Sequence, residues 1–553
     1  MHVSKLEISI VGLLLALASA HAPLGNIGFL LIVGHIVSLL ILFILSSSII
    51  AKFNEQVARV FFAVIALALT TEMIIQFLTG LHLNWFVISL LMEGSLRQNT
   101  GISPVLFGAI LLSTTAGLYW ASSKFSTTAT LLRAPTMLVL GLIAAGTTQM
   151  IYATAYYHGS TDAVQARRSM PFFWTLHPYQ ANILLEYIFE PRDENPFSLS
   201  KVKAAGRVLD IEPKVLTPLA SRAGESIPNI LIIVTDSLRS TDIRQKPNLA
   251  STLLSAANKG LFSLDHYSVS NCTHFSLYSM ATGELPTRYG AARDKKIETG
   301  FFSELAAAGY QVSTAESVSL DWYDLSDIIL PVESDRWIGD NEDTLENDQS
   351  VTEKTIEKIS EWQQSDIPGL HLAYYFGTHY PYSDTLNAST STKLEAYETA
   401  ISRFDVELGK IFTALEASGA RDDTLVIVTS DHGEEFRENG IVGHASRLSM
   451  QQVQVPLLVL GAAKSQGIPN SHLDIPELIY SAIEPTRPEK KPSENIYLAN
   501  CGYDFPSGFS VLKSSGRFDF DFDNGYLVPI SSGGNHSPVD GRAAAAELLK
   551  AIR

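Results

Sequence analysis

Five apolar segments crowd the first 156 residues, at 8–22, 25–51, 57–79, 104–122 and 134–156. Most approach the roughly 20 residues that a helix needs to cross a bilayer. A backbone in hydrocarbon must satisfy its own hydrogen bonds, which leaves helices as the form for such segments. The first segment ends in Leu17-Ala18-Ser19-Ala20-His21-Ala22, imitating a signal-peptide cleavage site. Retention is expected, because further apolar segments follow almost at once and the residues ahead are barely basic. Lys5, Lys52, Arg59, Lys124 and Arg133 all fall on one side of this array. The positive-inside rule then puts the amino terminus in the cytoplasm, and an odd number of spans exports everything after residue 156.

Within the third segment lies Glu72, followed one turn on by Gln76. A carboxylate at that depth is either functional or a buried, hydrogen-bonded residue near the interface. Leu81 to Met92 is apolar and aromatic but short, as suits a re-entrant or interfacial helix. Residues 157–226 form a mixed, aromatic linker containing Arg167-Arg168-Ser169-Met170-Pro171-Phe172-Phe173-Trp174. Arginines beside such a cluster bind anionic lipid headgroups in one reading and pack on the following domain in the other.

Charge separates the two halves. Residues 1–160 carry about +2, which leaves about −19 of the total −17 for the remainder. An acidic domain argues against nucleic acid as a partner, since phosphate binding needs basic surface. The two cysteines, Cys272 and Cys501, exclude a disulfide-rich scaffold and a cysteine-based zinc site, and leave room for one bridge outside the cytosol.

From 227 to 553 the pattern changes to strands alternating with helices. Continuous apolar runs at Asn229–Thr235, His371–Phe376, Leu425–Val428 and Val455–Leu460 read as strands buried on both faces. Leu394 to Ala417 reads as a helix ended by Gly419. The expectation is an α/β domain with a mainly parallel sheet, whose ligands bind beyond the carboxyl ends of the strands. The polar residues fall there repeatedly. Asp236-Ser237-Leu238-Arg239 follows the first strand, and Gly377-Thr378-His379 the second. Asp431-His432-Gly433-Glu434-Glu435 follows the third, with Gly443-His444 soon after. Asn271-Cys272-Thr273-His274 lies ahead of Thr282-Gly283. Asp236 alone would pass for a helix cap. Together these segments supply carboxylates and imidazoles of the kind that hold a divalent metal.

The stretch from Pro228 to Leu460, above all Ser430-Asp431-His432-Gly433-Glu434 followed by Gly443-His444, resembles the sulfatase-like branch of the alkaline phosphatase superfamily. Five spans, an Arg/aromatic linker and this domain further resemble the inner-membrane YejM/PbgA type of Gram-negative bacteria. The resemblance implies that Asp236, Asp431 and His432 ligate a divalent metal, with Thr273 as nucleophile and fourth ligand. It implies that His379 and His444 contact the transferred group or hold a second metal. Arg239, Arg167 and Arg168 are expected to bind substrate or lipid. Cys272 stays open as a rival nucleophile, because a metal can lower a thiol pKa. Zinc, manganese and magnesium all suit the ligand set. Glu434 and Glu435 receive no role.

Two departures shape the expected activity. The Cys/Ser-x-Pro-x-Arg motif that sulfatases convert to formylglycine is absent, since Cys272 precedes Thr273, His274, Phe275 and Ser276. A single acid after the first strand, with threonine at the nucleophile position, resembles the phosphoethanolamine and phosphoglycerol transferases instead. The leading expectation is a membrane-anchored, metal-dependent hydrolase or transferase of the bacterial inner membrane. Its carboxyl-terminal domain is periplasmic, and it acts on phosphoester groups, less readily sulfate esters, of envelope lipids or glycolipids. The alternative is a non-catalytic regulator that binds lipid or lipopolysaccharide through Arg167 and Arg168, keeps a vestigial metal site and pairs with an inner-membrane protein.

Overall fold

A computed structural model describes residues 2–19, 26–79, 104–125, 128–130, 134–157, 170–172, 216–222 and 227–533, and 547–551 apart from 549. Within 227–533 the exceptions are 342–343, 381, 383–392, 422, 439–441, 446, 462–466, 488–491, 503–504, 515 and 524–525. The expected interfacial segment Leu81–Met92 and both Arg167 and Arg168 lie outside the described residues. The chain divides into two compact units, residues 1–199 with 519–532, and residues 200–518 with 533–553.

In the first unit each apolar segment is helical: α1 (Lys5–Ala18), α2 (Asn26–Phe53), α3 (Glu55–Thr79), α4 (Pro104–Phe125) and α5 (Ala134–Tyr157). Ser4 caps α1 by accepting the Glu7 amide. Among the described residues three stretches are long and apolar enough to cross a membrane: Gly28–Phe53, Glu55–Gln76 and Pro135–Thr154. The 14 residues of α1 reach about 21 Å, short of a bilayer core. Val11, Leu15, Phe43, Phe62 and Leu69 form the interior. Leu30, Leu42, Leu112 and Leu142 stay exposed, which suits helices whose outer face meets lipid. Glu72 and Gln76 are buried inside the bundle, so the burial expected of an intramembrane carboxylate is met.

The second unit holds a seven-stranded sheet. Its strands are β1 (Asn229–Thr235), β2 (Leu261–Tyr267), β3 (Gln311–Glu316), β4 (Asp335–Ile338), β5 (Gly369–Tyr375), β6 (Thr424–Ser430) and β7 (Gln454–Leu460). In space they run β2-β7-β6-β1-β5-β3-β4. The five from β6 to β4 are parallel neighbours, whereas β7 pairs antiparallel with β6 and with β2. The sheet is therefore mainly parallel, and the run at 455–460 is its antiparallel member. Central strands β1, β5 and β6 are buried along nearly their whole length, which explains why each reads as an unbroken apolar run.

Helix α6 (Thr273–Thr282) follows β2, α7 (Thr344–Trp362) precedes β5, and α8 (Lys393–Ser418) precedes β6. Gly419, left-handed at φ 71°, follows α8, matching the expected helix end. A hairpin of β8 (Ile496–Asn500) and β9 (Gly508–Lys513) comes later. Cys272 and Cys501 form a disulfide.

Candidate active site

Because β1 and β6 pair in register, Thr235 opposite Ser430, the residues that follow emerge side by side. Asp236 is pinned at its amide by Tyr375 O at 2.8 Å. Ser237 adopts φ 66°, a strained conformation for a residue with a Cβ. Its N–H thereby reaches Asp431 Oδ1 at 3.0 Å, and the His432 amide donates to the same oxygen at 2.7 Å. Gly433 is required for close approach, since a Cβ there would lie 2.1 Å from Gln451 O and 2.9 Å from Arg239 Cβ.

Asp236, Asp431 and His432 bring one ligand atom each within 4.8 Å of one another, all buried. His432 Nδ1 donates to Gly433 O at 3.1 Å, so the lone pair of Nε2 faces Asp431 Oδ2 at 3.5 Å and Asp236 Oδ1 at 3.9 Å. Thr273 opens α6, with Cys272 as the extended residue before it, and its Oγ1 lies 3.2 Å from His432 Nε2. Four of the expected site residues are therefore together.

Electrostatics single out a cation. Burial and the neighbouring Asp236 carboxylate push Asp431 well above the ordinary carboxylate range. Burial also works to raise Asp236, but His379, His432 and His444 outweigh it and hold it low. Tyr374, kept protonated by burial and by both carboxylates, donates to Asp236 Oδ2 at 2.7 Å. Asp431 Oδ2 is buried with no hydrogen-bond donor. Two adjacent buried acids, an acceptor without a donor and an imidazole lone pair turned toward them fit a divalent metal.

The far side carries the histidines. The His379 ring stacks on Phe376 at 4.3 Å, and its Nδ1 donates to Tyr380 O at 2.7 Å. The His444 ring lies 5.2 Å from that of His379 and 4.2 Å from that of His432. Both expected histidines thus join the site. Glu434, left without a role by its place in the sequence, is buried and accepts from His444 Nδ1 at 3.3 Å. Glu435 instead bonds Ser449 and Gln452 at 2.7 and 3.0 Å.

Two expectations change. Arg239 does not face a substrate: it is 2% exposed, forks onto Asp242 and donates to Glu434 O at 2.9 Å and Glu438 at 2.6 Å. Those partners occupy the guanidinium, which clamps the loop after β6. Cys272, bonded to Cys501, offers no thiol, so Thr273 is the nucleophile candidate of the pair. The residue type at 239 does not signal its inward partners, whereas the bridge at 272 is the one that two cysteines leave room for.

Residues 228–483 match the sulfatase family model. Over that region the chain is similar to the sulfatase family. Similar curated proteins are the uncharacterized sulfatase YidJ of Escherichia coli K12, 26% identical over 130 residues, and the inner membrane protein YejM of Salmonella typhi, 23% identical over 242 residues. These matches cover 23% and 42% of this chain, but only 25% and 37% of those relatives. The integral membrane lipooligosaccharide phosphoethanolamine transferase A of Neisseria meningitidis shares the fold, with TM-score 0.51 and 14% identity over 86% of this chain and 95% of that one. The chain is thus similar to sulfatases over residues 228–483 and, over part of its length, to an inner membrane protein.

Proposed function

We propose that this chain is a metal-dependent hydrolase or transferase of phosphoester groups, acting on envelope lipids or glycolipids at the outer face of the bacterial inner membrane. The observation that carries the reading is Thr273 Oγ1 at 3.2 Å from His432 Nε2, beside the buried Asp236–Asp431 pair. Asp236, Asp431, His432 and Thr273 would hold the metal. When bound, it would lower the Thr273 hydroxyl pKa and offset charge on the phosphoryl oxygens. Thr273, having given up its proton, would bond to phosphorus as the P–O bond to the leaving alcohol breaks and that alcohol takes up a proton. Water or an acceptor hydroxyl would then displace Thr273 from phosphorus and return its proton, while His379 and His444 steady the transferred group and Tyr374 keeps Asp236 oriented. The apolar helices hold the site near membrane-bound substrate, with the amino terminus cytoplasmic and the sulfatase-like domain periplasmic. A disulfide beside the nucleophile accords with an oxidising compartment.

The test uses the full-length chain in detergent: metal content, and turnover of p-nitrophenyl phosphate and p-nitrophenyl sulfate. Bound divalent metal, preference for phosphate and loss of at least about a thousandfold in Thr273→Ala are the expected results. Metal-free protein whose rate ignores the substitution would leave the lipid-binding regulator as the better reading.

A further inference from the structure

Asp348 lies in the first two turns of α7, far from every motif that the catalytic reading uses, yet its carboxylate is buried and spent on one loop. Oδ1 accepts the Phe376 amide at 3.0 Å, and Oδ2 accepts the Gly377 amide at 2.9 Å. Residue 377 lacks a Cβ for a specific reason: one built there would lie 2.4 Å from Asp348 Oδ2. The two bonded residues are also those that carry His379. Phe376 bears the His379 ring on its own, and Phe376 O accepts the His379 amide at 2.9 Å. Beyond Gly377 the loop is fastened again, by Thr378 Oγ1 to Asp236 O and to Thr235 Oγ1 at 2.6 Å.

We propose that Asp348 is a positioning residue for His379, acting through the Phe376–Gly377 backbone, and that its ionised form is the one that holds the loop. This rests on the phosphoester reading for its catalytic meaning, though not for its structural content. An ionised carboxylate accepts both amides, whereas a proton on one oxygen takes up a lone pair and weakens one of the two bonds. The groups facing Asp348 leave it near the changeover at neutral pH. Burial raises it, the two amides and the Ser317 hydroxyl lower it, and Glu407 of α8 raises it again, to about 7. Glu407 is itself paired with Lys410 at 2.8 Å. The Tyr375 hydroxyl on the adjacent strand is bonded to Thr352 at 2.9 Å, and His371, further along β5, to Ser313 and Thr355.

The decisive experiment compares full-length wild type, Asp348→Asn and Gly377→Ala. The first removes one acceptor, and the second drives a methyl group against the carboxylate from the loop side. Hydrogen–deuterium exchange of the 376–382 segment is read at pH 6, 7 and 8, alongside metal content, kcat and KM for p-nitrophenyl phosphate. Faster exchange in both variants than in wild type at each pH is expected, the gap widening from pH 6 to 8, with metal content retained. The kcat is expected to fall about 10- to 100-fold with KM within about twofold, and the rise of wild-type kcat through pH 7 to flatten in Asp348→Asn. Should Asp348→Asn fail to fold, Gly377→Ala decides alone. Unchanged exchange in the folded variants overturns the proposal even if wild type has no turnover, which would instead count against the phosphoester reading. Faster exchange with unchanged kcat and pH profile also overturns it.

Discussion

On one side of the site Asp236, Asp431 and His432 hang directly from the ends of paired parallel strands; backbone amides fix the Asp431 carboxylate, and the Ser237 and Tyr374 hydroxyls hold that of Asp236. On the other, His379 and His444 sit on loops, each steadied by a buried acid: Asp348 through the backbone and Glu434 through the ring. The contrast separates two tasks. Groups that concentrate negative charge are built onto the strand ends, where a strained Ser237 helps set their geometry. In the proposed reaction the groups that would meet the transferred phosphoryl sit on loops, and their orientation depends on the side chains behind them.

The sharpest way to break this division is Asp431→Asn, alone and with Asp236→Asn. Loss of bound metal and a fall in turnover of about a thousandfold are expected, measured by elemental analysis and single-substrate kinetics. Turnover that survives metal loss would remove the distinction altogether. A smaller effect awaits Glu434→Gln, which takes the carboxylate from His444: metal stays, and kcat falls about 10- to 100-fold. If metal is lost instead, Glu434 belongs with the charged side.

How the strand side is shored up from behind can be tested by stability. Replacing both cysteines, Cys272→Ser with Cys501→Ser, is expected to cost about 2–5 kcal/mol in denaturant unfolding while metal content is kept. The rings of His266 and His472 lie 5.1 Å apart, tilted by 45°, and His472 is bonded to the Ser276 hydroxyl of α6 at 3.0 Å. Burial holds His266 down to about 4, so the folded state refuses a proton that the unfolded chain takes up. Stability is therefore full above pH 6.5 and drains as pH falls toward 4, by about 3 kcal/mol from this group. Thermal melts across that range, with a shallower slope in His266→Gln, are the check.

The sequence reading located the strand side well because its signals are local. An apolar run ending in Asp-His, and another ending in Asp, say where two carboxylates emerge once the strands pair. Helix α8 was legible within a residue or two at each end, for the same reason. The loop side was legible only as residue types. His379 and His444 carry a motif signal, but Glu434 receives no role from its place in the sequence and Asp348 carries no signal. Their roles arise from contacts 10 and 29 residues apart in sequence. Arg239 shows the reverse error: a cation beside a motif invites a substrate, yet its orientation is set by Asp242 and Glu438.

The Cys272–Cys501 bridge spans 229 positions, and Thr273, His379, Asp431, His432, Glu434 and His444 all lie between its ends. Topologically the site is a closed covalent ring, with Asp236 as the member contributed from outside it. A protease that cuts the chain once anywhere along that ring severs no site residue from any other inside it. Such nicked protein should run as one species until a reductant is added, then separate into two.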